Sequence, residues 1–217
     1  MPLGSKTRQR RIPARVNFYR TAGKTCFEYL FILAALPVVL PVMVLMVVLA
    51  ALDGSSPFYW QRRVGRNGRI FNMMKIRTMV PNADQILQEY LDQNPEARRE
   101  WNEKQKLSHD PRITWIGAIL RRTSLDELPQ LWNVLRGDMS LIGPRPMMVE
   151  QQELYAGTDY YRVRPGITGL WQVSARNRSS FAAREKFDSE YFHTLSLKTD
   201  LSILLRTFGV VMRCTGY

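Results

Sequence analysis

Asp126 and Glu127 stand side by side in the stretch Arg121-Arg122-Thr123-Ser124-Leu125-Asp126-Glu127-Leu128-Pro129-Gln130. His109 and His193 are the only histidines, so a multi-histidine metal centre is excluded and acid–base work falls mainly to carboxylates. Leu125, Leu128, Leu131, Trp132 and Leu135 recur at helical spacing around the dyad. That spacing predicts that both acids lie at the start of an amphipathic helix. Pro129 lacks an amide hydrogen and crowds the turn before it, so the dyad belongs to a first helical turn. Backbone N–H groups of a first turn are unpaired, and the helix dipole is positive there. A carboxylate so placed stays ionised, and a phosphate is welcome beside it. The pattern also has a structural alternative, because Ser124-x-x-Glu127 matches a capping box. Taken alone, the stretch leaves both readings open.

Cations elsewhere offer partners for a phosphate. Lys75-Ile76-Arg77-Thr78-Met79 puts Lys75 and Arg77 on one face of an extended segment, where they meet phosphate or simply guard a solvated edge. Arg145 lies between Pro144 and Pro146. Its backbone is therefore extended and stiff, and its guanidinium suits bidentate phosphate binding; a turn whose arginine pairs with a local acid is the alternative. The run from Arg162 through Arg164, Gly166 and Gly169 to Val173 sets arginines against a proline and glycines that permit close backbone approach. A loop of this kind could clasp a nucleotide, and Arg176 and Arg178 add charge after it. Cys26 and Cys214 lie near opposite ends and suggest neither a disulfide framework nor a zinc site.

The elements that must position these residues are legible as patterns. A formal charge of +12 points to polyanionic partners. The arginines are spread among several motifs, which argues against nucleic acid. Residues 1–24 form a basic arm without an acid. Phe27 to Leu52 is apolar with Glu28 its only charge, long enough to cross a hydrocarbon core of roughly 30 Å. Pro37 and Pro41 interrupt it, and Arg62, Arg63, Arg66 and Arg69 follow it. Basic flanks on both sides place both ends in the cytoplasm. A helix that enters, breaks at the prolines and returns satisfies both observations, although prolines also occur in spanning helices. Phe58–Val64 and Ile70–Ile76, flanking Gly65-Arg66-Asn67-Gly68, read as a β-hairpin. Two polar helices are expected over 83–90 and 95–107, then an amphipathic stripe from Ile113 to Leu120 that suits a core or an interfacial helix. Residues 200–211 read as an apolar helix too short to span. The fold class is α+β, mainly helical: residues 25–52 a membrane helix and residues 53–217 one membrane-associated domain.

Taken in order, these segments resemble a known family. The likeness runs from about Tyr19 to Tyr217 and rests on the proline-broken helix, Lys75–Met79, Asp110-Pro111-Arg112-Ile113-Thr114, the stretch Arg121–Leu135, Gly143-Pro144-Arg145-Pro146, Val163–Val173, and Asp188-x-x-Tyr191. Together they are similar to the bacterial sugar transferases, the monotopic polyprenyl-phosphate phosphoglycosyl transferases. The helices between Lys75 and Asp110 resemble the exopolysaccharide-initiating, hexose-phosphate branch. In one respect the chain departs: the family's helix break maps to Pro41, near a small polar residue for which this chain has Ala34, Ala35 and Leu36, and Pro37 is additional.

The resemblance implies a re-entrant helix, several interfacial helices and a catalytic domain facing the cytoplasm at the bacterial inner membrane. It implies transfer of a sugar 1-phosphate, with galactose or glucose favoured, from a UDP-sugar to undecaprenyl phosphate with release of UMP. Asp126 would be the nucleophile and the protein ligand of Mg²⁺, and Glu127 its partner. Lys75, Arg112, Arg121, Arg145, Arg164 and Asp188 would bind substrate. Apolar faces near the membrane allow a homodimer. The reading from another class is a non-catalytic basic scaffold that holds acidic lipids or partner proteins; it has no use for adjacent carboxylates among cations.

Overall fold

The computed structural model describes residues 18–104, 107–174 and 181–212. Most of the basic arm, the expected helix end at residues 105–107 in part, and Arg176 and Arg178 lie outside them. Tyr19–Gly23 forms a π-helical turn that leads into α1, Lys24–Ala51, so the end of the arm is helical. Pro37 and Pro41 lie inside α1, which continues through both as one element instead of ending at them.

The hairpin has the expected bounds. β1 (Phe58–Val64) and β2 (Ile70–Ile76) pair antiparallel, with Phe58 opposite Ile76 and Val64 opposite Ile70. Asn67 and Gly68 take φ of 59° and 75°, the left-handed values that asparagine and glycine tolerate best. The polar helices are α2 (Ala83–Gln93) and α3 (Pro95–Lys104), followed by α4 (Trp115–Thr123). α5 (Gln130–Leu135) follows the dyad. β3 (Ser140–Ile142) and β4 (Gly166–Thr168) pair in parallel, and α6 (Leu170–Ser174), α7 (Phe181–Thr194) and α8 (Leu197–Met212) complete the chain.

The main core joins Phe71 and Met73 of β2, Val134 of α5, Leu141 and Ile142 of β3, Tyr191 of α7 and Ile203 of α8. Ile32 of α1 is buried in that cluster, whereas Ala50, at the other end of α1, is buried with Ile76 and Leu120. Both ends of α1 therefore rest on the same folded unit. Polar bonds reinforce each end. At the start, Lys24 pairs with Glu28 at 2.8 Å and with Asp200 of α8 at 2.7 Å. Glu28, fully buried, accepts from the Ser140 hydroxyl and from the Leu141 and Ile142 amides at 3.1 and 3.3 Å. At the end, the Arg77 guanidinium donates to the Ala50 carbonyl at 2.9 Å and pairs with Asp53 at 2.6 Å. Between them Val38, Leu40, Val44, Leu45 and Val48 are exposed.

Candidate active site

Leu125–Glu127 forms a 3-10 turn between α4 and α5, with Leu128 and Pro129 helical after it. The expected first-turn placement is realised in this tighter form. The capping box is not: Ser124 makes no side-chain cap bond. It ends α4 in the left-handed conformation, φ 60°, which costs a serine roughly 1 kcal/mol. Strain of this kind gathers where geometry serves a site, and Ser124 lines both cavities described below.

Two strand-end motifs bring cations to the dyad. Thr114 donates its amide to the Thr78 carbonyl at 3.1 Å, and Val80 to the Arg112 carbonyl at 2.8 Å, joining the Lys75–Met79 and Asp110–Thr114 segments. A Cβ on Gly117 would fall 2.0 Å from the Thr78 carbonyl oxygen, so only glycine lets α4 seat there. Thr78 in turn accepts from Arg121 Nε at 2.9 Å, which holds Arg121 over the cleft. Lys75 Nζ lies 2.8 Å from Glu127 Oε1 and 3.5 Å from Asp126 Oδ2.

Arg145 reaches the other side. Ser140 and Gly143 donate to the Pro165 and Thr168 carbonyls, and Gly166 to the Pro144 carbonyl, each at 2.8 Å. A Cβ on Gly166 would meet the Gly143 nitrogen at 2.1 Å, and one on Gly169 the Gly143 oxygen at 2.0 Å. The close approach expected of these glycines is made to the Gly143–Pro146 segment. Its result is to place Arg145, half exposed, 3.8 Å from Glu127.

Asp126 is 8% exposed. Burial raises its pKa above the usual carboxylate value, and Glu127 adds to the rise, while Lys75 and Arg121 oppose it. The helix-end argument for a freely ionised carboxylate is therefore outweighed by desolvation. Burial likewise lowers the pKa of Arg121.

Lys75, Arg121, Asp126, Glu127 and Arg145 share one polar cleft of about 870 Å³. Beside it lies an apolar cavity of about 270 Å³, walled by Phe31, Ala35 and Val39 of α1 and by Leu204 and Val211 of α8. Ser124, Glu127 and Arg145 line both. Gln172, on the apolar wall, has buried amide atoms without a hydrogen-bond partner among the described residues.

The other expected residues stand elsewhere. Arg112 is buried in a two-pronged pair with Asp110, at 2.8 and 2.7 Å, with its guanidinium over Trp101. Asp188 accepts from the Tyr155 hydroxyl at 2.9 Å beside Arg184, and burial pushes its pKa up to about 6. Arg164 donates to Thr25 of α1 at 2.7 Å. None of the three lines the polar cleft. Sequence reasoning missed Thr78, Ser124 and Glu28. Glu28 carried a signal, as a lone carboxylate in an apolar run four residues after Lys24, and Ser124 carried one only as a helix cap.

The chain is similar along most of its length to several known proteins. The chain is 49% identical over 195 residues to the UDP-galactose-lipid carrier transferase of Erwinia amylovora, covering 89% of this chain and 41% of that protein. It is 44% identical over 211 residues to the exopolysaccharide production protein ExoY of Sinorhizobium fredii, covering 94% and 93%. It is 45% identical over 199 residues to the undecaprenyl-phosphate galactose phosphotransferase of Salmonella typhimurium, covering 91% and 41%. The chain thus spans under half of the first and third of these relatives and nearly all of the second. Since the bacterial sugar transferase model matches it from residue 19 to residue 214, this protein belongs to that family.

Proposed function

We propose that this protein transfers a hexose 1-phosphate from a UDP-sugar to undecaprenyl phosphate, releasing UMP, at the cytoplasmic face of the inner membrane. This is the first membrane step in making an exopolysaccharide, capsule or O-antigen. The observation that carries the reading is the junction of a cation-lined polar cleft with an apolar cavity at Ser124, Glu127 and Arg145. One reactant is a soluble diphosphate; the other is a phosphate on a hydrocarbon chain. Each cavity matches one of them, and the dyad lies where the phosphates meet. The names of the Erwinia and Salmonella relatives support the same donor and acceptor.

Asp126 attacks the phosphorus that bears the sugar, and the bond from that phosphorus to the bridging oxygen breaks. UMP leaves with the electron pair, and the sugar phosphate remains on the Asp126 carboxylate. An oxygen of the acceptor phosphate then attacks the same phosphorus and frees Asp126. A raised pKa makes Asp126 a more basic and so stronger nucleophile once ionised. Lys75, Arg121 and Arg145 offset charge gathering on the phosphoryl oxygens. Glu127, bonded to Lys75, takes any proton the acceptor phosphate carries.

The residues fit Mg²⁺. No cluster of three acidic, histidine or cysteine ligands exists among the described residues. Mg²⁺ needs only one or two carboxylates when phosphate oxygens complete its shell, and Asp126 beside Glu127 supplies them. Bound there, the ion would neutralise the diphosphate.

The seating of both α1 ends on one folded unit supports re-entrance. A spanning helix would leave one end beyond about 30 Å of hydrocarbon. Trp115 and Trp132, 80% and 53% exposed, suit an interfacial seat for the turn that carries the dyad.

The test is UMP release from UDP-galactose and UDP-glucose by membranes supplied with undecaprenyl phosphate and Mg²⁺. Sugar-labelled donor should leave label on denatured wild-type protein, and Asp126→Asn should lose label and turnover by about a thousandfold or more. Normal turnover by that variant sinks the nucleophile; membrane binding without UMP release from any UDP-hexose favours a scaffold.

A further inference from the structure

A second charged cavity lies away from the dyad, at the foot of α1. It holds about 490 Å³, and five cations line it: Arg20, Lys24, Arg66, Arg162 and Arg164. No carboxylate lines it. An adjoining cavity of about 410 Å³ shares Arg66 and Arg164 and adds Arg69 and one carboxylate, Asp138. Asp126, Glu127 and Arg145 line neither.

The charges are only partly compensated. Lys24 is paired with Glu28 and Asp200, and Arg162 with Asp159 at 3.5 Å. Among the described residues Arg20, Arg66 and Arg164 form no salt bridge, and Asp159 offsets part of the charge around Arg20. Arg20 and Arg162 both press on the Phe192 ring, 4.4 and 4.5 Å from its centre. Burial and the nearby Arg162 lower the pKa of Arg20, and its Nε is buried without a partner. Like charges held this close are costly in a partly desolvated place. An anion would relieve the repulsion and accept the unpaired donors.

The surroundings identify the anion. Lys24 is the first residue of α1, so the cavity lies where the apolar helix begins. Phe192 and Leu195 line it beside the arginines. Leu30 and Leu33, along the same helix, are exposed. A ligand with a phosphate and attached hydrocarbon satisfies both kinds of wall. We infer that this cavity binds the phosphate of an anionic phospholipid, at a site separate from the catalytic cleft. Arg164, which the resemblance implies binds substrate, lines this cavity. A bound lipid would seat the foot of α1 at headgroup level.

Native mass spectrometry of the full chain in detergent tests this, with short-chain phosphatidylglycerol, short-chain phosphatidylcholine and inorganic phosphate as separate probes. The wild type should retain one phosphatidylglycerol in preference to phosphatidylcholine. Arg66→Gln with Arg162→Gln should weaken that binding about tenfold or more, as expected for loss of two charge-assisted contacts. Arg66→Lys alone should largely preserve it. Arg8→Gln with Arg10→Gln in the N-terminal arm should leave it intact, which separates a built site from general attraction to a basic chain. Equal retention of the two lipids, unchanged binding by the double variant, or equal loss in the arm variant overturns the inference. Tighter binding of inorganic phosphate than of phosphatidylglycerol would make this a free-phosphate site and overturn the lipid assignment. Arg66 lies in the exposed hairpin turn, so its variants test binding without touching the core.

Discussion

Asp126 is both buried and surrounded by charged groups. In the proposed reaction its carboxylate must be ionised to attack, yet burial and Glu127 favour the protonated form while Lys75 and Arg121 resist. The rate should therefore rise with pH along a limb that lies above the usual carboxylate range. Lys75→Met removes the largest opposing charge and should move that limb to still higher pH; a stopped pH profile of UMP release reads it directly. An unmoved limb would mean that Lys75 does not tune Asp126. Asp188 shows the same physics without facing the cleft. Its pKa of about 6 in the folded chain exceeds the unfolded value of about 3.9. Between those values the folded state holds the extra proton, so rising pH favours unfolding through that window. Wild-type stability measured against Asp188→Asn should fall from pH ~4 to about 6, by at most about 1.4 kcal/mol per pH unit, and then level off. Chemical unfolding in detergent at several pH values checks this, and a flat difference would place the Asp188 pKa near its ordinary value.

At the scale of elements, α1 is fastened by polar groups that the apolar pattern conceals. Glu28 accepts three bonds from β3 and pairs with Lys24, and Lys24 reaches Asp200 on α8. Tyr19 donates to Asp200 at 2.8 Å, closing the cluster. Removing one member leaves buried charge uncompensated, which costs about 3–5 kcal/mol. Glu28→Ala should lose stability on that scale. It should also disturb catalysis, because β3 leads directly to the segment that carries Arg145. Thermal unfolding with UMP kinetics distinguishes the two effects; a change below about 1 kcal/mol, the worth of an exposed pair, would show the network to be peripheral. The hairpin was legible to the residue, since Asn67-Gly68 encodes a local turn and its strands need only each other. The capping box was not realised, because Ser124 spends its backbone on ending α4.

The whole molecule is organised about a surface where charge meets hydrocarbon. Exposed apolar residues run along α1 and α8, among them Val38, Val44, Leu205 and Phe208, and the polar cleft opens next to the cavity between those helices. With Cys26 and Cys214 replaced by serine, single cysteines near Lys6 and Lys198 should both react only from the cytoplasmic side of sealed vesicles. Labelling from opposite sides would make α1 a spanning helix.

Local chemistry alone determined much of this protein. Apolar patterning and turn residues marked α1, the hairpin and the helices, and seven ordered segments carried the family. The adjacent acids among cations left capping and chemistry both open, and the resemblance carried by the ordered motifs pointed to phosphoryl transfer. Tertiary structure decided which cations serve the dyad. Lys75, Arg121 and Arg145 converge on it, while Arg112 is held by Asp110, and Arg164 and Asp188 belong to other clusters. It also decided that Gly166 and Gly169 pack against backbone and that burial governs Asp126. Spacing along a chain fixes which face a side chain takes, but burial and partners depend on segments far apart in sequence, and they form only when the core brings those segments together.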